Sequence, residues 1–134
     1  MNLNQYKEFV ETVTSKESNN FDDFNSRMKT LNENDLKVNF PLLLTGSCGL
    51  GAETGEFTEI VKKMLFQGKP LNEDNVYHMK RELGDILWYW INTCRALNLN
   101  PNDVLMENVE KLKSRYPGGK FETFFSENRK ENDL

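Results

Sequence analysis

Histidine and cysteine are scarce in this chain of 134 residues, and a basic excess is missing altogether. A single histidine, His78, leaves zinc without its usual set of nitrogen and sulfur ligands. Cys48 and Cys94 lie far apart with no Cys-x-x-Cys, so they are expected to be buried thiols of a reducing cytoplasm. A single bridge between them is the alternative. The net charge of -4 argues against a nucleic-acid partner, which normally meets a basic stripe. No apolar run reaches membrane-spanning length, and Met-Asn-Leu-Asn-Gln-Tyr does not resemble a signal peptide. Neither β alternation nor an internal repeat is found. A cytoplasmic all-α chain without membrane or nucleic-acid partners is the expectation.

What is present is helical periodicity. From Leu3 to Thr14, Leu3, Tyr6, Phe9, Val10 and Val13 fall on one face. Asn19-Asn20 caps a second short helix whose inner side carries Phe21, Phe24, Met28 and Leu31. Pro41 suits a first helical turn, and the helix it opens is expected to run to Gln67, before the break Gly68-Lys69-Pro70. The next helix, Glu73 to Leu97, holds the bulky run Trp88-Tyr89-Trp90, which reads mostly as core. Asn100-Pro101 supplies a cap and an N1 proline for the last helix, which ends at Tyr116 before Pro117-Gly118-Gly119. Phe121, Phe124 and Phe125 follow, and the charged terminus from Glu127 to Leu134 is expected to be mobile. The expected fold is a helical bundle of four main helices with a short N-terminal helix. It forms a single domain over 1–134, with an extension over 1–35, catalytic helices over 36–117 and a tail over 118–134.

The chemistry lies in two acidic pairs, Glu53 with Glu56 and Glu82 with Asp85. Each pair is spaced i, i+3, so both carboxylates project from one helix face. Glu53 is in line with Phe57, Ile60 and Met64, and Glu82 with Ile86, Tyr89 and Thr93, stripes that should pack inward. Buried unpaired carboxylates cost several kcal/mol each, so a positive partner is required, and a hard divalent cation such as magnesium is the economical one. A single pair usually marks a solvated face. Two pairs in phase with apolar stripes are far less expected by chance. Glu59 and Glu73 fall outside this phase and read as surface residues.

The last helix offers a complementary polar face, Asn108, Lys111 and Arg115, suited to phosphate oxygens. From spacing alone it is an ordinary solvated face, and only the acids' need for an anionic ligand raises it to a candidate. Gly46-Ser47-Cys48-Gly49-Leu50-Gly51 lacks the Lys-Ser/Thr and the preceding strand of a phosphate loop, and its small residues read as a tight helix crossing. Gly55 and Gly84, each just before the second acid of a pair, read most simply as helix-packing positions. His78, a turn before Glu82, reads as a surface or supporting residue. A di-iron carboxylate bundle needs Glu-x-x-His on two helices, and neither acid is followed by histidine at that spacing.

Taken together, Glu53-x-x-Glu56 followed after 25 residues by Glu82-x-x-Asp85 resembles the signature of the all-α, MazG-like nucleoside triphosphate pyrophosphohydrolases. Gly49-Leu50-Gly51-Ala52-Glu53-Thr54-Gly55-Glu56, Glu82-Leu83-Gly84-Asp85-Ile86-Leu87-Trp88-Tyr89, and Asn108-x-x-Lys111 with Arg115-Tyr116-Pro117 are similar to the family's motifs. Ala52 stands where many members carry an additional glutamate, which leaves the metal count open. The short, asparagine-rich chain looks similar to phage-encoded members.

The resemblance implies a reaction. Glu53, Glu56, Glu82 and Asp85 would be catalytic and hold Mg2+, with Mn2+ as a substitute. Asn108, Lys111, Arg115 and Tyr116 would bind substrate. A (d)NTP would become a (d)NMP and pyrophosphate, with deoxynucleotides favoured. Narrow dUTP, dCTP or phosphoribosyl-ATP hydrolysis is one alternative, and a metal-stabilised helical binding module without turnover is another. It also implies a core shared in a homodimer or a dimer of dimers, working in the cytoplasm, that of the host if phage-encoded.

Overall fold

The computed structural model describes residues 1–129 and is all-α over that range. Its helices are α1 (Leu3–Val13), α2 (Lys16–Asn19), α3 (Phe21–Asn32), α4 (Phe40–Phe66), α5 (Glu73–Ala96), α6 (Pro101–Arg115) and α7 (Thr123–Glu127). The five longer helices match the expected ones to within a residue or so at each end. The short α2 and α7 were not anticipated. The expectation of a mobile terminus falls largely on 130–134, outside the described residues, while Glu127 closes α7.

Asparagine starts all five long helices. The side chains of Asn2, Asn20, Asn39, Asn72 and Asn100 each accept from backbone N–H groups of the first turn, and Asn2 completes a capping box with Gln5. Such a cap contributes about 1 kcal/mol over alanine. The two expected caps, Asn20 and Asn100, are among them. At the other end of α4, Gly68 takes φ +68°, a left-handed turn that suits glycine. Asn34 holds the α3–α4 connection by donating to the Val38 carbonyl and accepting from its N–H.

The centre of the fold is the antiparallel pair α4 and α5. Asn39 N–H donates to the Ala96 carbonyl at 2.8 Å, tying the start of one helix to the end of the other. Ile60 on α4 and Cys94 and Ala96 on α5 are the buried apolar side chains among the described residues. Gly46 lies against Thr93 and Gly49 against the ring of Tyr89, so closely that a methyl at either place would overlap its neighbour. Of the small residues of 46–51, Gly46 and Gly49 thus do allow a tight crossing, while Gly51 meets open space. Gly55 and Gly84 do not: added methyls there meet open space, so the packing explanation fails for them within one chain.

Much of the expected core is not covered. Leu3, Tyr6, Phe9, Val10 and Val13 of α1 are all exposed, as are Phe21 and Phe24 of α3, while Met28 and Leu31 are half-buried. Trp88 is 58% exposed rather than core, with Tyr89 and Trp90 half-buried. Cys48 is exposed, contrary to expectation, whereas Cys94 is buried, and both are free. Phe121 and Phe124 are exposed and Phe125 half-buried. The chain's accessible surface is 10982 Å². A compact monomer of 15.7 kDa should expose about 7,300 Å². The apolar stripes were read correctly as apolar, but one chain folds too openly to bury them. No helix among the described residues is long and apolar enough to cross a membrane.

Gly49→Ala tests the crossing. Helix propensity alone would favour alanine by roughly 1 kcal/mol. Overlap with Tyr89 should cost about 1–3 kcal/mol and win. A lower melting temperature by circular dichroism is expected, while an unchanged or higher one would show that the contact is slack.

Candidate metal centre

The glycine crossing sets where the acids meet. Glu53 follows Gly49 by four residues and Gly46 by seven, so all three lie on the row of α4 that faces α5. On α5, Tyr89 and Thr93 face those glycines, and Asp85 and Glu82 come next along the same row. Close approach at the glycines therefore carries the two acidic rows together.

Three of the four signature carboxylates converge. Glu53, Glu82 and Asp85 each offer an oxygen, and these oxygens lie within 4.8 Å of one another. Glu82 is buried at 6% exposure, Glu53 is half-buried, and Asp85 is exposed at the rim. Glu56 is exposed on α4 and lies outside this group. Spacing does not set it apart, since Asp85 stands at the same i, i+3 step from Glu82 and joins the group.

The electrostatics are one-sided. Partial burial, then the charges of Glu56, Asp85 and Glu82, and then a side-chain hydrogen bond with Glu82 all raise the Glu53 carboxyl above its ordinary value. Two carboxyl groups sharing a hydrogen bond need a proton between them or a cation in its place. Three oxygen donors with no thiol among them suit a hard ion such as Mg2+ or Mn2+.

One supporting contact stands beside the cluster. His78 Nε2 lies 3.0 Å from Glu82 Oε1, one helical turn away on α5. Its i, i+4 spacing was legible in the sequence, but the contact itself was not. Glu59 is exposed and pairs with Lys62 and Lys63 at 3.7 and 3.3 Å, and Glu73 is exposed in the first turn of α5.

The α6 candidates are placed differently. Lys111, Arg115 and Tyr116 are half-buried and Asn108 is exposed, on a helix that does not pack along α4 or α5. The Tyr116 ring lies 5.6 Å from that of Phe121. Within one chain, α4 and α5 alone build the acidic cluster.

Known proteins resemble the part of the chain that carries these features. The profile of a family described as "MazG nucleotide pyrophosphohydrolase domain" matches residues 47–119, more than half of the chain. The "Gene 37 protein" of Mycobacterium phage L5 is 33% identical over 72 residues, which make up 53% of this chain. The match spans 63% of that relative's length. No solved structure gives a match.

The raised Glu53 carboxyl has a measurable consequence. The folded chain holds that proton more tightly than the unfolded one, so its stabilising share is full in acid and is lost as pH rises through the raised value. In metal-free buffer, Glu53→Gln should therefore raise the melting temperature near pH 7 and leave it unchanged near pH 4. An equal change at both pH values would show that the carboxyl is not perturbed.

Proposed function

The chain belongs to the MazG nucleotide pyrophosphohydrolase family, and from that premise we propose that it hydrolyses nucleoside triphosphates to monophosphates and pyrophosphate, favouring deoxynucleotides. The observation that carries this reading is the meeting of Glu53, Glu82 and Asp85 within 4.8 Å, all inside the matched stretch. These three residues, on α4 and α5, would hold a divalent cation such as Mg2+ or Mn2+. When bound, the cation supplies charge neutralisation for the triphosphate and makes a nearby water more acidic.

The remaining work falls to the chain. Glu56, exposed and a turn beyond Glu53, is free of the cluster and suited to orient the attacking water and accept its proton. Lys111 and Arg115 steady the phosphate oxygens, with Asn108 and Tyr116 adding hydrogen bonds. Attack at the α-phosphorus follows from the family and not from the spacing of the acids. Base preference depends on the shape of the nucleotide pocket. Narrow hydrolysis of dUTP, dCTP or phosphoribosyl-ATP is the same chemistry at a stricter site.

We further propose that the working unit is a homodimer or a dimer of dimers. Its support is the surface excess of about 3,700 Å² over a compact monomer, together with the exposed apolar faces of α1, α3 and α5. Obligate interfaces bury on the order of 2,000–5,000 Å² summed over both partners, so an excess of this size on each chain leaves room for one large interface or more. The proposed setting is the cytoplasm, that of the host if the chain is phage-encoded like the relative it matches.

One observation favours a second reading. Because α6 does not pack along the acid helices, the donors of Asn108, Lys111 and Arg115 stand on a separate element, as in a metal-stabilised module without turnover. Product analysis with a panel of NTPs and dNTPs separates the two. Hydrolysis requires monophosphate and pyrophosphate in Mg2+, none in EDTA, and a loss of about 100-fold or more in Glu82→Gln and Asp85→Asn at unchanged helicity. Metal-induced thermal stabilisation with no product from any triphosphate would favour the module. Light scattering should give a mass of about 31 or 63 kDa from the 15.7-kDa chain, and a 16-kDa particle (roughly one chain) would refute the shared core.

A further inference from the structure

We propose that His78 is a positioning residue that holds Glu82 for metal binding, an inference that rests on the metal reading above. Glu82 is the one buried member of the acidic cluster, and it faces the carboxylates of Glu53 and Asp85. Ionised carboxylates within 4.8 Å repel one another, and inside the trio only the hydrogen bond between Glu53 and Glu82 opposes that repulsion before a cation arrives. His78 supplies a restraint from outside. Its Nε2 lies 3.0 Å from Glu82 Oε1. That distance is within ion-pair reach, and the imidazole is the side of the pair that can bring a proton to a carboxylate.

The geometry separates this role from direct ligation. His78 touches Glu82 but does not join the group of ligand atoms lying within 4.8 Å of one another. The contact uses Nε2, the nitrogen that reaches Glu82, and engages one of the two Glu82 oxygens. Both residues sit on α5 a single turn apart, so the restraint is set by a continuous helix and needs no loop to close. Such outer partners of metal ligands commonly change metal affinity by 10–100-fold when removed.

The test is Mn2+ binding to the full chain, measured by calorimetry without nucleotide and by electron paramagnetic resonance. His78→Ala should raise the Mn2+ dissociation constant by about 10-fold or more while leaving helicity and the metal-free melting temperature unlowered. In turnover, that variant should need more Mg2+ to reach half-maximal rate, with a rate at saturating Mg2+ close to that of the parent. His78→Gln places an amide near the position of Nε2 and should restore affinity to within about 3-fold. Equal affinity in His78→Ala and the parent, a His78→Gln variant as weak as His78→Ala, or a nitrogen coupling showing direct ligation would each overturn the proposal. Glu82→Gln keeps the outcomes apart. If it abolishes binding while His78→Ala does not weaken it, only the role of His78 falls, whereas Mn2+ binding unaffected by Glu82→Gln overturns the metal site as well.

Discussion

Everything in the site depends on how closely α4 and α5 approach at Gly46 and Gly49. The two glycines let Thr93 and the Tyr89 ring sit where side chains would otherwise stand. That contact fixes the register of an antiparallel pair, and the register places Glu53 opposite Glu82 and Asp85 one turn further on. Carboxylates brought together in this way oppose the approach that creates them. Partial burial and three neighbouring acids raise Glu53, so the metal-free fold carries an electrostatic strain near neutral pH. Packing at one end of the crossing is thus set against repulsion at the other, and a bound cation would turn the second term favourable.

The rest of the molecule is organised around that pair but does not enclose it. α1 and α3 offer apolar stripes that their own chain leaves open, and α6 stands apart from the acid helices. A surface about half again as large as a compact monomer requires is hard to reconcile with a solitary chain. The proposed sharing of helices would account for it, and would also give a reason for the open sides of Gly55 and Gly84, next to the acids. In that account the site is assembled twice: once within the chain by α4 and α5, and again by whatever brings donors from α6 to the phosphates.

Local chemistry was legible in the sequence where it is written in a few residues. Pro41, Gly68 and Asn100-Pro101 marked helix ends because caps and breakers act within one turn. α2 and α7 escaped because helices of four and five residues are too short to show a period. The apolar stripes told which side of a helix seeks cover, but not whether this chain provides it, and so Trp88 and the Phe21 and Phe24 side of α3 were misplaced. The i, i+3 spacing found both acidic pairs, yet the same spacing brings both members in on α5 and one on α4, so spacing alone does not say which carboxylates meet. Glu53 joined the α5 acids and Glu56 did not. His78 was visible as a turn-spaced neighbour of Glu82, and only the side-chain geometry turned that spacing into a contact.

The central claim is that carboxylates from α4 and α5 form one site for a divalent cation. Anomalous diffraction from crystals grown with Mn2+ tests it most directly. The account predicts a peak between the two helices, with oxygens of Glu53, Glu82 and Asp85 at about 2.1 Å, the distance range of small hard cations. A crystal that takes up Mn2+ only elsewhere, or shows no peak between α4 and α5 at saturating metal, would contradict it.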